Sequence, residues 1–222
     1  MHLLNLDKFT IKDEVIPAER LAAMVEADQT KDLSAQLWDD GYLLLRSVYR
    51  PSDVQAARDE ILKRLAEVGE VAEPISDAIS TGTSERRLHY PNTKELGEFW
   101  KSVSEGSALR RVINGPEIIG VMAEIFGEKV THFSFAWLRA MQAGKASPVH
   151  IDHPYMNRGS KELLTCWCPI GPVGLDEGTL YILEGSHTWS DIRAQFEGLD
   201  VDRDKNRVGH IEDTPLDLAK KK

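Results

Sequence analysis

The tripeptide His150-Ile151-Asp152 has the residue types of a metal site. A histidine and an aspartate two positions apart on an extended strand point to the same face, so both can reach one metal ion. Non-heme Fe(II) oxygenases hold iron with two histidines and one carboxylate, which leaves positions open for cosubstrate and dioxygen. The alternative is a structural histidine hydrogen-bonded to an aspartate. A third ligand would decide between the two interpretations.

The first half of the chain is predicted to be mainly helical. Residues 1–32 read as an irregular arm, and hydrophobic periodicity predicts helices over residues 33–40, 51–68 and 116–126. The apolar run at residues 42–45 predicts a buried strand. A helical flank that also holds an active-site loop is therefore assigned to residues 33–127.

The active-site loop is placed at residues 70–107, where prolines and glycines interrupt a polar stretch. Arg86 and Arg87 in this stretch, together with Arg139, are candidate carboxylate anchors, because guanidinium groups pair with carboxylates through two hydrogen bonds. Solvated surface arginines are the alternative interpretation.

The second half changes character after Gly127. Short runs rich in β-branched, aromatic and leucine residues alternate with turn residues, which predicts strands. The runs are residues 130–140, 149–152, 163–170 and 179–183. A closed or double-sheet β core is expected for residues 128–222, within a single domain.

Composition restricts the partners. The net charge of -9, with both signs mixed along the chain, argues against a nucleic-acid or anionic-membrane surface. A signal-peptide pattern and a membrane-spanning apolar run are both absent from the sequence, so a cytoplasmic protein with a small-molecule substrate is expected. The only cysteines, Cys166 and Cys168, would share one face of a strand in a geometry poorly suited to a mutual disulfide. They are predicted to be free core thiols.

Three sequence blocks resemble the phytanoyl-CoA dioxygenase family. They are His150-Ile151-Asp152-His153-Pro154-Tyr155, Thr165-Cys166-Trp167, and Glu177-Gly178-Thr179-Leu180 followed by Gly185-Ser186-His187. Asp40-Gly41-Tyr42 and the helix after it are also similar to the family, so the resemblance covers residues 33–189. It implies a mainly β, double-stranded β-helix (jelly-roll, cupin-like) fold with flanking helices. It also implies Fe(II), 2-oxoglutarate as cosubstrate, and dioxygen.

The resemblance assigns roles to individual residues. His150 and Asp152 would be iron ligands, while Trp167 and Phe135 would line the 2-oxoglutarate pocket. Tyr155 would border the substrate. Simple core packing is the alternative for both aromatic pocket residues, since such rings supply large buried areas wherever they lie.

The family's distal metal histidine and its 2-oxoglutarate arginine follow an apolar strand that this sequence lacks after Trp189. The jelly-roll is therefore expected to be incomplete at the C-terminus, and the third ligand is left open between His187 and His210. His187 lies in a block that forms a turn in the family, which favours a structural role. His210 follows Gly209 without an apolar run and is ranked below His187 as a substitute ligand.

The first hypothesis is an Fe(II)- and 2-oxoglutarate-dependent dioxygenase that hydroxylates a small organic or lipid-like substrate. The alternative is a noncatalytic jelly-roll binding or interaction protein, or a truncated fragment without the distal histidine and arginine. Self-association through unpaired strand edges is compatible with the alternative.

Overall fold

The computed structural model describes residues 10–11, 14–139, 146–174 and 177–221. The α-helices of these ranges, in chain order, are α1 Leu33–Asp40, α2 Pro51–Ala66, α3 Arg86–His89, α4 Thr93–Ser104, α5 Ser107–Ile113, α6 Pro116–Phe126, α7 His153–Met156, α8 Ser190–Phe196 and α9 Pro215–Lys221. Short 3-10 helices occur at Ala18–Arg20, Ile75–Asp77 and Ser186–Thr188. The sequence predicts a loop over residues 141–148 that leads into the His150 tripeptide, and most of this loop lies outside the described residues.

The predicted helices α1 and α6 are confirmed with the expected ends, because their end signals are local. The Asp32 side chain accepts a hydrogen bond from the Ala35 amide at the start of α1. A glycine with positive φ ends each helix, Gly41 for α1 and Gly127 for α6. Helix α2 begins at the predicted proline and ends at Ala66, two residues earlier than expected.

The predicted mainly β jelly-roll is wrong. In the described ranges the strands are β1 Thr10–Ile11 and β2 Glu14–Val15, which pair antiparallel with each other. Residues 163–170 and 179–183 form no strand, and the predicted strand at 42–45 contributes only one bridge, between Leu44 and Glu26.

The error has a physical cause. A strand exists only if its backbone amides and carbonyls pair with a neighbouring strand, whereas β-propensity reports how side chains fit a pleated, half-buried surface. These runs have the side chains but lack the backbone partner in the described structure. Their large apolar residues are correspondingly exposed, with Phe135 at 54% and Trp167 at 45%.

The predicted loop at residues 70–107 is also wrong for its second half, which folds as α4. Asn92 caps this helix by accepting from the Glu95 amide. Gly97, one of the glycines that predicted an interruption, lies inside this helix, where a glycine costs about 1 kcal/mol relative to alanine. Burial of Phe99 and Val103, each less than 3% exposed, contributes about 1.5–3 kcal/mol per side chain and outweighs that cost.

The core lies among α2, α4 and α5. One apolar cluster is formed by Ala57, Leu109 and Val112, and a second by Val68, Phe99 and Val103. Leu138 packs against both clusters, so the segment that leads toward His150 is docked on the helical core.

The segment after Trp189 packs back against the earlier part of the chain. Phe196, Leu199 and Leu218 are buried, and the Ile211 amide donates to the Val149 carbonyl at 2.8 Å. This return places residues 209–211 beside the His150 tripeptide. Within the described ranges, the helices are too short and too polar to cross a membrane.

Candidate metal centre

His150 and Asp152 face each other across a short gap. Nε2 of His150 is 3.3 Å from Oδ1 of Asp152, and their side chains are 29% and 30% exposed. Two adjacent ligands of one metal ion, each about 2.1 Å away and separated by an angle of about 100°, stand about 3.2 Å apart. The pair therefore has the spacing that a shared metal ion requires.

The orientation of the His150 ring is fixed by a second hydrogen bond. Its Nδ1 lies 2.7 Å from the Pro148 carbonyl oxygen, which only accepts, so Nδ1 carries a proton. Nε2 is left to face Asp152, either with a lone pair or with a second proton. A backbone carbonyl that holds the far nitrogen of a ligand histidine is a common feature of metal sites.

The electrostatics of the pair favour the charged forms. The hydrogen bond that His150 donates to Asp152 raises the pKa of His150, and the Pro148 carbonyl acts in the same direction, against burial and the charge of Arg139. The hydrogen bond from His150 lowers the pKa of Asp152, with further help from the Thr165 side chain. The imidazole nitrogen and the carboxylate oxygen thus face each other at the position that a shared cation would take.

His210 is brought next to His150 by backbone pairing. The two residues form an antiparallel bridge, and both line one cavity of about 160 Å³. The backbone of Gly209 lies close to the Tyr155 side chain, since a Cβ built on Gly209 would be 2.8 Å from the Tyr155 hydroxyl.

The same cavity is also lined by Tyr155, the predicted substrate-border residue, by Arg139, a predicted candidate anchor, and by Trp137. Tyr155 packs edge-on against His150, with ring centroids 6.0 Å apart. Trp137 was missed by the sequence reasoning. No local signal separates Trp137 from Phe135, which has the same spacing along the chain and does not line the cavity.

Phe135 and Trp167, the predicted 2-oxoglutarate residues, are not among the residues that line this cavity. Phe135 contacts Phe133, with ring centroids 5.5 Å apart. Arg86 is also elsewhere, where it pairs with Glu70 and lies over the Trp100 ring.

His187 is placed against α1. A Cβ built on Gly41 would lie 2.2 Å from Nδ1 of His187, so the imidazole fills the space directly over this glycine. His187 does not line the cavity of His150. The structure thus brings His210, and not His187, to the candidate site.

Three donors do not yet converge on one point. Among the described residues, no group of three histidine, cysteine, aspartate or glutamate side chains could hold a metal ion together. The donor types and the spacing of His150 and Asp152 fit iron, and the ring of His210 has to turn toward them to complete a triad.

A second cavity, of about 420 Å³, is larger but contains none of the candidate ligands. It is lined by residues of α2, α3 and α4, among them Arg64, Glu95, Glu98 and Phe99. The smaller cavity is the stronger candidate for chemistry because two potential metal ligands and a cation converge on it.

The phytanoyl-CoA dioxygenase family model matches residues 37–219, which is most of the chain and includes the His210 segment. No curated protein and no solved structure matches the chain. The order of the sequence blocks and this extended match agree. The chain belongs to the phytanoyl-CoA dioxygenase family.

Proposed function

We propose that this protein is an Fe(II)- and 2-oxoglutarate-dependent dioxygenase in which His150, Asp152 and His210 hold the metal. Family membership implies oxygenase activity of this general kind, with a small-molecule substrate and dioxygen. The observation that carries the assignment of ligands is the pairing of His150 with His210 beside Asp152.

The protein's own residues supply the positions of the ligands. Pro148 holds Nδ1 of His150, which directs Nε2 toward Asp152, and Thr165 holds the carboxylate of Asp152 through a hydrogen bond. Bound iron, with 2-oxoglutarate, supplies the activation of dioxygen that oxidises the substrate while succinate and carbon dioxide are released.

Arg139 is the proposed partner of the far carboxylate of 2-oxoglutarate. Its guanidinium donates to the Ser147 hydroxyl at 2.9 Å and stacks on Trp137, with 4.5 Å to the ring centroid. Neither contact neutralises its charge, and both fix its orientation in the cavity wall. An oriented guanidinium suits a carboxylate better than a lysine would, because it offers paired donors.

The cavity size bears on the substrate. Pockets that enclose drug-sized ligands measure about 300–1,000 Å³, and this cavity is about 160 Å³. We therefore propose that the cosubstrate occupies the cavity and that the small organic or lipid-like substrate extends from its mouth, past Tyr155.

The test is Fe(II)-dependent formation of succinate from 2-oxoglutarate by the full chain in the presence of dioxygen. His150→Ala, Asp152→Ala and His210→Ala are each expected to abolish it. His132→Ala is the matched control, because this exposed histidine is hydrogen-bonded to the neighbouring Phe133 carbonyl and is not among the residues that line the cavity. Retained turnover in His210→Ala would overturn the assignment of the third ligand. Absence of metal-dependent turnover in the unaltered protein would favour a noncatalytic role.

A further inference from the structure

Cys166 and Cys168 lie close together at an accessible position. Their sulfurs are 3.4 Å apart, and Sγ of Cys168 is also 2.9 Å from the Tyr49 hydroxyl. Cys166 is exposed and Cys168 is half-buried, so a small solute can reach the pair. Neither sulfur is used by the proposed iron site.

The surrounding chain fixes one side of this pair. Tyr49 and Ile170 both pack against the core cluster around Ala57, and Arg58 donates to the Ile170 carbonyl at 3.3 Å. Cys168 is thereby held on the helical core, while Cys166 stands at the outer end of the same segment.

Two cysteines two positions apart on a regular strand have a geometry poorly suited to a mutual disulfide. Residues 161–169 are all described and none of them is in a hydrogen-bonded strand, so their backbone is free of the ladder hydrogen bonds that would resist a local shift. The sulfurs need to approach by about 1.3 Å to reach the length of a disulfide bond, about 2.05 Å. Rotation of the side chains and a local shift of this irregular segment would supply that movement.

We infer that Cys166 and Cys168 form a redox-active dithiol, in which a hydroperoxide oxidises Cys168 and Cys166 then closes a reversible disulfide. This site is independent of the proposed iron chemistry, and its readout is the state of the two thiols.

The surroundings of the two sulfurs differ, because Sγ of Cys168 lies 2.9 Å from the Tyr49 hydroxyl and 3.4 Å from Sγ of Cys166, two groups that can each donate to a thiolate. The hydrogen bond from Cys166 lowers the pKa of Cys168 to about 7, and the Tyr49 hydroxyl acts in the same direction. The same interaction raises the pKa of Cys166, which therefore keeps its proton. Burial raises the pKa of Tyr49, so its hydroxyl stays available as a donor. A thiolate beside a protonated resolving thiol is the arrangement of redox-sensing cysteines.

The reaction balances in two steps. The Cys168 thiolate attacks a peroxide oxygen, the O–O bond breaks, and the departing oxygen takes a proton to leave as alcohol or water; Cys168 becomes a sulfenic acid. Cys166 sulfur then attacks the Cys168 sulfur, the S–O bond breaks, and hydroxide leaves with the Cys166 proton as water. The two sulfurs together lose two electrons, and the peroxide is reduced.

The test treats the full chain with hydrogen peroxide and follows free thiols, intact mass and migration without reductant. Because the sequence contains only these two cysteines, an intramolecular disulfide can only be this pair. The expected result is loss of both thiols, a mass lower by two hydrogens in a monomeric species, and full recovery with dithiothreitol. Two titratable thiols after peroxide treatment, or a disulfide found only between chains, would overturn the inference.

Single variants separate the roles of the two sulfurs. Cys166→Ser should accumulate a sulfenic acid on Cys168 that dimedone traps. Cys168→Ser should react with peroxide roughly 10-fold more slowly than Cys166→Ser at pH 7. This ratio follows from the thiolate fractions expected for a thiol pKa of about 7 and for an ordinary thiol pKa of about 8.5. Tyr49→Phe should slow the first step and still form the disulfide. Equal peroxide reactivity of the two serine variants would contradict the assignment of Cys168 as the nucleophile.

Discussion

Replacement of Gly41 by alanine tests whether His187 has a structural role. Gly41 ends α1 with φ of 79°, and a Cβ at this position would lie 2.2 Å from Nδ1 and 2.4 Å from Cγ of His187. The contact involves the base of the ring as well as its edge. The whole imidazole therefore has to move before the methyl group can be accommodated.

Two contributions add to the loss of folding stability in Gly41→Ala. The left-handed conformation costs a residue with a Cβ about 1–2 kcal/mol. Displacement of a packed side chain by an inserted methyl group typically costs about 1–3 kcal/mol more. The chain offers a matched control in Gly127, which ends α6 with φ of 68° and has no atom within 4 Å of a built Cβ. Gly127→Ala therefore carries the first cost alone.

The assay is urea unfolding followed by tryptophan fluorescence, with the free energy of unfolding compared among variants. Gly41→Ala should be less stable than Gly127→Ala by about 1–3 kcal/mol. In a His187→Gly background, which also removes the Cβ that lies 2.9 Å from the built methyl group, the extra loss at Gly41 should disappear while the loss at Gly127 should remain. Equal losses at the two glycines, or an extra loss at Gly41 that persists without the imidazole, would refute the proposed packing.

Three further predictions concern the helical core and the C-terminal segment. Glu60→Ala should lower the free energy of unfolding by about 1–3 kcal/mol in urea titrations, because its carboxylate accepts from the first amides of α5, including Leu109 at 3.1 Å. Phe99→Ala should cost about 3–5 kcal/mol in the same assay, because the ring is 2% exposed, and a cost below 1 kcal/mol would contradict its place in the core. The hydrogen bonds from Arg158 lower the pKa of Asp200 in the folded protein. The stability from this pair is therefore present above about pH 4 and is lost as the pH falls through the lowered folded-state pKa. Arg158→Gln should weaken the acid dependence of the free energy of unfolding below about pH 4, and an unchanged dependence would speak against the ion pair.

Local signals in the sequence were sufficient for several elements. The ends of α1 and α6 were predictable because a capping aspartate, an initial proline and a terminal glycine act on the helix turn that contains them. The family was recognisable because three blocks occur in the correct order. Each helix end and each sequence block is recognised from a few neighbouring residues.

The predictions that were wrong concern features that depend on residues far apart in the sequence. A β-rich run such as residues 163–170 predicts a strand only if another segment supplies backbone hydrogen bonds, which no local pattern reports. The bridge between His150 and His210 joins residues 60 positions apart, so the sequence ranked His210 below His187. Gly97 was taken as a helix breaker because its cost is local, whereas the compensating burial of Phe99 is a tertiary effect.

In the proposed site, His210 completes the set of iron ligands with His150 and Asp152. The most direct measurement is an anaerobic Fe(II) titration with 2-oxoglutarate, which follows the visible charge-transfer band of the bound complex, in the unaltered protein and in His210→Ala and His187→Ala. The band should form in the unaltered protein and in His187→Ala, and Fe(II) affinity should fall by at least about 10–100-fold in His210→Ala. A band that survives unchanged in His210→Ala, or no band in the unaltered protein, would contradict the claim.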